Sequence, residues 1–328
     1  MTKLTSLLFL CFVVFSCKNV SEKKAPIAEN TTEATISSTV PPSYKLSLAQ
    51  WSLNKLIFSG QADPMDFAST AKDMGFEGLE YVSQLYTNEK VSFEMKDAGL
   101  PVILEELKKR SDSLNMQNVL IMIDGEGDLS FSDEKATQTA IENHKKWIDA
   151  AAFLGCYSIR INLFGEEDPE VWISNSVKSL KALAAYAAPK NINIIVENHG
   201  GLSSNGALLA RVMKETAMAN VGTLPDFGNF CLKKEGGARW GAPCVEDYDM
   251  YLGMAELMPY AKGVSAKSYA FNDAGDETKI DYYRMAQIVK DANFEGFVGI
   301  EFEGDVDDPT EGIAATKALI LKAVSQTK

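Results

Sequence analysis

The chain has 328 residues, 45 Asp plus Glu against 32 Lys plus Arg, a formal net charge of −13 and two histidines. An acidic excess removes any electrostatic reason to bind nucleic acid, and 46% hydrophobic residues are too many for a wholly disordered chain. With only His144 and His199 available, a site built from several histidines is excluded, so carboxylates must carry any metal or acid–base chemistry.

The N-terminus combines Lys3, an apolar run from Leu7 to Phe15, and Ser16-Cys17. The apolar run is too short to span a bilayer, which makes residues 1–17 a signal peptide. Val14-Phe15-Ser16-Cys17 resembles a bacterial lipobox, whose cysteine is acylated and becomes the mature N-terminus. An ordinary secretory signal cleaved nearby is the alternative. Residues 18–43, rich in Ser, Thr, Glu, Lys, Ala and Pro without apolar periodicity, are expected to be a flexible linker. The expected location is therefore outside the cytoplasm, lipid-anchored through Cys17 to a bacterial membrane, periplasmic or at the cell surface.

In that oxidising setting Cys156, Cys231 and Cys244 remain. Cys231 and Cys244 bracket a stretch of loop composition. They form either a disulfide, worth about 3 kcal/mol in the chain-entropy model, or two unpaired thiols.

From residue 44 onward, β-rich runs at 46–51, 78–82, 118–123, 158–162, 192–197, 221–225, 263–266 and 297–302 alternate with helical spacing. The helical segments are 64–74, 102–114, 135–154, 172–188, 207–217, 245–257, 282–293 and 310–324. Eight strand–helix units over residues 44–328 predict an α/β protein with a (β/α)8 TIM barrel. A doubly wound open sheet is the competitor, but no Gly-x-Gly-x-x-Gly or Walker loop follows any strand.

In a barrel the C-terminal strand ends share one mouth. Here they read Arg160-Ile161-Asn162, Glu197-Asn198-His199, Leu224-Pro225-Asp226-Phe227-Gly228-Asn229, Ser265-Ala266-Lys267 and Glu301-Phe302-Glu303. Alternation with period two lets the outer pair of each tripeptide point the same way. Glu80 ends the second strand and either faces the mouth or pairs structurally. Asp124 and Glu126 fall in a mouth loop as ligand contacts, while Trp51, Trp240 and Tyr269 serve either as stacking platforms or as packing. His144, flanked by Lys145 and Lys146, is expected at the surface.

The runs Ile194-Ile195-Val196-Glu197-Asn198-His199-Gly200-Gly201, Gly222-Thr223-Leu224-Pro225-Asp226-Phe227-Gly228-Asn229, Ser265-Ala266-Lys267 and Gly299-Ile300-Glu301-Phe302-Glu303-Gly304 carry a resemblance. In that order they resemble the xylose-isomerase-like TIM barrels, which include sugar phosphate isomerases, ketose 3-epimerases and hydroxypyruvate isomerases. The resemblance implies a divalent cation held by Glu, Asp, His and Glu from strands five to eight. Glu197, Asp226 and Glu301 match three positions; Ser265 stands where a His is expected, and Asn229 replaces a second. With Ser265 or His199 as the stand-in, the donor set suits Mn²⁺, Mg²⁺ or Ca²⁺.

The resemblance also implies Glu197 and Glu301 as base and acid on opposite faces of a sugar. The cation and Lys267 would stabilise an enediolate, and Arg160, Asn162, His199, Asn229, Trp51 and Glu303 would contact the substrate. Export favours non-phosphorylated sugars. Isomerase or epimerase is the leading expectation. A lyase cleaving 3-keto-glycosides and an inactive sugar-binding barrel are the alternatives. No nicotinamide or flavin site is apparent, so a keto-sugar substrate requires a separate oxidoreductase.

Overall fold

A computed structural model describes residues 44–328; the expected signal peptide, Cys17 and the linker lie outside the described residues. The strands β1 (Lys45–Ala49), β2 (Gly78–Val82), β3 (Gln117–Met122), β4 (Ser158–Ile161), β5 (Asn193–Glu197) and β6 (Val221–Leu224) lie side by side in parallel, in sequence order. Two further strands interrupt the series, β7 (Cys231–Lys234) and β8 (Cys244–Asp247), which form a separate antiparallel hairpin. The parallel sheet continues with β9 (Val264–Ser268) and β10 (Phe297–Phe302), β10 lying between β9 and β1.

The circle closes at a seam between β6 and β9, where Thr223 bridges Ala261 and Asp226 bridges Ser265. Lys262 N donates to Thr223 O (3.0 Å), Ser265 N to Pro225 O (2.9 Å) and Phe227 N to Ser265 O (3.0 Å). The strands are apolar on both faces because one face fills the barrel and the other meets helices. The Asn193–Glu197 segment, NIIVE, is an example: its last four residues are all buried.

The helices that cover the barrel are α2 (Phe67–Asp73), α4 (Leu100–Ser113), α5 (Glu134–Leu154), α6 (Pro169–Ala187), α7 (Gly206–Thr216), α8 (Met250–Leu257), α9 (Tyr282–Asp291) and α10 (Thr310–Ser325). Short α1 (Asn54–Phe58) and α3 (Gln84–Thr87) sit in the loops after β1 and β2. Carboxylates start several of them by accepting from backbone N–H groups otherwise left without partners: Asp133 for α5, Asp168 for α6, Asp249 for α8 and Asp281 for α9. The Pro169 ring suits the first turn of α6, and α5 ends on Gly155 at φ 81°, where a side chain would be strained.

Three local expectations change. The segment 245–257 is helical only from Met250, because Cys244–Asp247 pairs with β7 and Asp249 caps the helix that follows. The ninth strand reaches Ser268, two residues beyond the predicted end, and so carries Lys267 within the ladder opposite Glu301. His144 is not at the surface: it is 3% exposed, with Nδ1 2.7 Å from Ala140 O. Ala140, His144, Trp147, Ile148 and Ala151 recur at helical spacing on the buried face of α5, and the charges of Lys145 and Lys146 fall between them. Burial holds the His144 imidazole below its ordinary pKa.

Candidate active site

Strands four, five, nine and ten, with the loop after β6, deliver the polar strand ends to one mouth. Oxygens of Glu197, Asp226 and Glu301 lie within 4.8 Å of one another, and all three residues are buried. Glu197 is fixed from two sides. Asn229 Nδ2 donates to its Oε1 at 2.8 Å, and Arg160 Nε sits 2.9 Å from Oε2 as an ion pair, off the line of an aligned hydrogen bond. Burial opposes ionisation of Glu197, but the charges of His199, Arg160 and Lys267 overcome it and hold the carboxyl below its ordinary range. Burial lowers the His199 pKa, so the cations that persist beside Glu197 at neutral pH are Arg160 and Lys267.

Asp226 accepts through Oδ1 from the backbone N–H groups of Gly228 (2.8 Å) and Asn229 (2.9 Å), while its buried Oδ2 has no hydrogen-bond donor among the described residues. Its pKa is pushed up to about 6 by burial, assisted by Glu197 and opposed by Lys267. Glu301 accepts from Ser265 Oγ at 2.9 Å, and burial pushes its carboxyl to about 8 against the attraction of Lys267. The Lys267 ammonium, 1% exposed, lies 3.7 Å from Asp226, 3.6 Å from Glu301 and 3.5 Å from Glu303. Burial disfavours its charge, but these three carboxylates more than compensate, so it stays protonated.

Around this core, Asp124 pairs with Arg160 (3.1 Å) and accepts from Asn162 (2.7 Å), whose Oδ1 in turn faces His199 Nδ1 at 2.8 Å. His199 lies outside the carboxylate cluster, 3.9 Å from Glu197 through Nδ1, while Ser265 Oγ donates to Glu301 within it. Glu126, also on the cavity wall, accepts from Trp147 Nε1 and pairs with Lys146 through Oε1, each at 2.7 Å. Glu80 lies inside the barrel, bonded to Ser47, rather than at the mouth.

A cavity of about 1230 Å³ opens above. Trp51, Asp124, Arg160, Asn162, His199, Asn229, Tyr269, Glu301 and Glu303 all line it, with Glu197, Asp226 and Lys267 buried just behind them. Its rim carries the β7–β8 hairpin, closed by a disulfide between Cys231 and Cys244.

Two contributors were missed from sequence. Asn198 clamps β5 to the loop after β6, accepting from Asp226 N (2.7 Å) and donating to Asp226 O (3.0 Å) and Asn229 O (3.2 Å). The only sequence signal was a polar residue pointing away from the mouth between two that face it. Arg239, in the hairpin, bonds Asp128 at 2.7 and 3.1 Å, and nothing in the loop composition marked it.

No curated protein matches the chain significantly. Among solved structures, the barrel is similar to L-ribulose 3-epimerase (14% identity, 86% of this chain and 94% of that one, TM-score 0.64). It is also similar to the IOLI protein with a bound zinc atom (14%, 87% and 99%, TM-score 0.64) and to the E. coli 3-keto-D-glucoside 4-epimerase (15%, 79% and 94%, TM-score 0.59). At such identities the likeness is one of fold. The model of the xylose isomerase-like TIM barrel matches residues 68–323, from within α2 to within α10. With that match covering most of its length, the chain belongs to the xylose isomerase-like TIM barrel family.

Proposed function

We propose that the protein abstracts a proton beside the carbonyl of a non-phosphorylated sugar and returns one, as an epimerase or isomerase does. The observation that carries this reading is the convergence of Glu197, Asp226 and Glu301 within 4.8 Å beside a large polar cavity. These residues fit a hard divalent cation. Oxygens about 2.1–2.4 Å from one ion lie at most about 4.8 Å apart, and the donor set is all oxygen, as Mn²⁺, Mg²⁺ or Ca²⁺ prefer. The undonated, buried Oδ2 of Asp226 supports the same fit. Bound there, such an ion supplies charge stabilisation for an enediolate.

In this reading Glu197, held ionised and oriented by Arg160 and Asn229, takes the proton. Glu301 returns one from the opposite face. The Lys267 ammonium adds positive potential where the oxyanion develops. Arg160 is neutralised by Asp124 and Glu197, and Arg239 by Asp128, so neither arginine is left unpaired for a phosphate.

Exchange of a substrate C–H with D₂O, followed by NMR over ketoses and 3-keto-glucosides with Mn²⁺ present, tests the reading. Glu197→Gln or Glu301→Gln is expected to slow exchange about 10²–10⁴-fold. Asp226→Asn is expected to abolish the heat of Mn²⁺ binding in calorimetry of the metal-stripped protein. Exchange that survives both glutamine substitutions refutes the assignment, and no exchange on any sugar favours an inactive binder. Release of the aglycone from a 3-keto-glucoside would identify the lyase; the 3-keto-D-glucoside 4-epimerase among similar folds supports including such sugars, which a separate oxidoreductase would have to supply.

The same proposal places the protein outside the cytoplasm, anchored through Cys17. The Cys231–Cys244 disulfide supports an oxidising compartment. Mass spectrometry of the mature N-terminus should find a lipidated Cys17, and Cys17→Ala should release the protein from membranes.

A further inference from the structure

The cavity is larger than one sugar ring needs. At about 1230 Å³ it exceeds the range of about 300–1,000 Å³ typical of small-molecule pockets, and it runs from Glu301 at its floor to Trp240 on the hairpin. Trp240 is 53% exposed, yet its position is determined from several directions. Its ring lies 4.9 Å from that of His199 and meets Phe164 edge-on at 5.5 Å. The neighbouring Arg239 stacks 4.4 Å over the same Phe164 and is tethered to Asp128. The disulfide closes the base of the hairpin beneath both.

A large aromatic face left exposed but immobilised over a cavity is a preorganised platform: its ordering entropy is lost on folding rather than on binding. Its place is also informative. His199 separates it from Glu197, so a ligand ring on Trp240 lies next to, and not over, the carboxylate cluster. A ring of C–H groups or an aromatic ring suits that surface, and the polar groups around the rim suit hydroxyls.

We propose that the substrate is a keto-glycoside, supplied by a separate sugar oxidoreductase, with its oxidised sugar over Glu197, Asp226 and Glu301 and its second ring stacked on Trp240. This rests on the sugar reading above and names the substrate class. Trp240 is then a specificity-determining residue, separate from the chemistry.

The test is calorimetric binding of methyl β-D-glucoside, phenyl β-D-glucoside and cellobiose to the mature, disulfide-bonded protein. The two-ring ligands are expected to bind about fivefold or more tighter than the methyl glucoside, the size of one well-formed ring contact. Trp240→Ala is expected to bring that ratio close to one, and Trp240→Phe to restore most of it. Equal affinity for one-ring and two-ring ligands, or a ratio that Trp240→Ala leaves intact, overturns the proposal. If proton exchange is found on ketoses while the second ring gains nothing, only the glycoside assignment fails. If no sugar binds and none exchanges, the sugar reading fails and takes this proposal with it.

Discussion

Glu80 shows what burial does to a single carboxyl in this barrel. It is 1% exposed, accepts from Ser47 Oγ at 2.6 Å through Oε1 and has no hydrogen-bond partner at Oε2 among the described residues. Burial, helped by the charge of Glu197, pushes it up to about 7. A folded-state pKa above the unfolded value means that stability is greatest below the unfolded value of 4.5 and is lost as pH rises toward 7. Glu80→Gln, close in shape to the protonated acid, is expected to be nearly neutral at pH 4.5. At pH 8 it should stabilise by about 3 kcal/mol, measured by denaturant unfolding at both values. The sequence reading put Glu80 at the end of the second strand, whereas it is the middle residue of β2, which continues through Tyr81 and Val82. Gly299 makes room for it, for a Cβ there would meet Glu80 Oε2 at 2.4 Å, and the space occupied by the carboxyl depends on a residue more than two hundred positions away. The same holds for Asn229 and Ser265. Their identity marked a departure from a nitrogen-ligand pattern, whereas their partners, Glu197 and Glu301, depend on strand register.

Among the elements, the alternation of strands and helices was the most legible feature, since the periods of two and 3.6 arise from local geometry. The β7–β8 hairpin was the least. Val245 to Leu257 carries helical spacing, and only cross-strand pairing with Cys231, Lys233 and Lys234 draws its first residues into a strand. Because the hairpin pairs with no barrel strand, its disulfide should act locally. Reduction with dithiothreitol is expected to speed amide hydrogen exchange across residues 231–247 while leaving exchange in β3, β4 and β5 unchanged. The chain-entropy model gives the cross-link about 3 kcal/mol, a stabilisation then confined to that element. Loss of protection throughout the barrel would show instead that the hairpin is part of the main cooperative unit.

For the molecule as a whole, the candidate site draws on β4, β5, the loop after β6, β9 and β10, so no part of the barrel holds it alone. That convergence could be anticipated from eight strand ends facing one mouth, but the closing contacts could not. The seam between β6 and β9 is made of separate bridges around Pro225, which has no N–H to give, rather than a continuous ladder. Glu197 and Asp226 stand on one lip of this seam, and Ser265, Lys267 and Glu301 on the other. A ligand gripping both lips is therefore a rivet as well as a reactant. Bound at a hundredfold excess over its Kd, it would add about 2.7 kcal/mol to the folded state. Saturation with Mn²⁺ is accordingly expected to raise the melting temperature and to slow exchange at the Phe227, Lys262 and Ser265 amides more than across the β1–β10 pair. Occupancy of the site and integrity of the barrel wall would then rise and fall together, so a thermal scan of the resting protein would report its ligands before any turnover is measured.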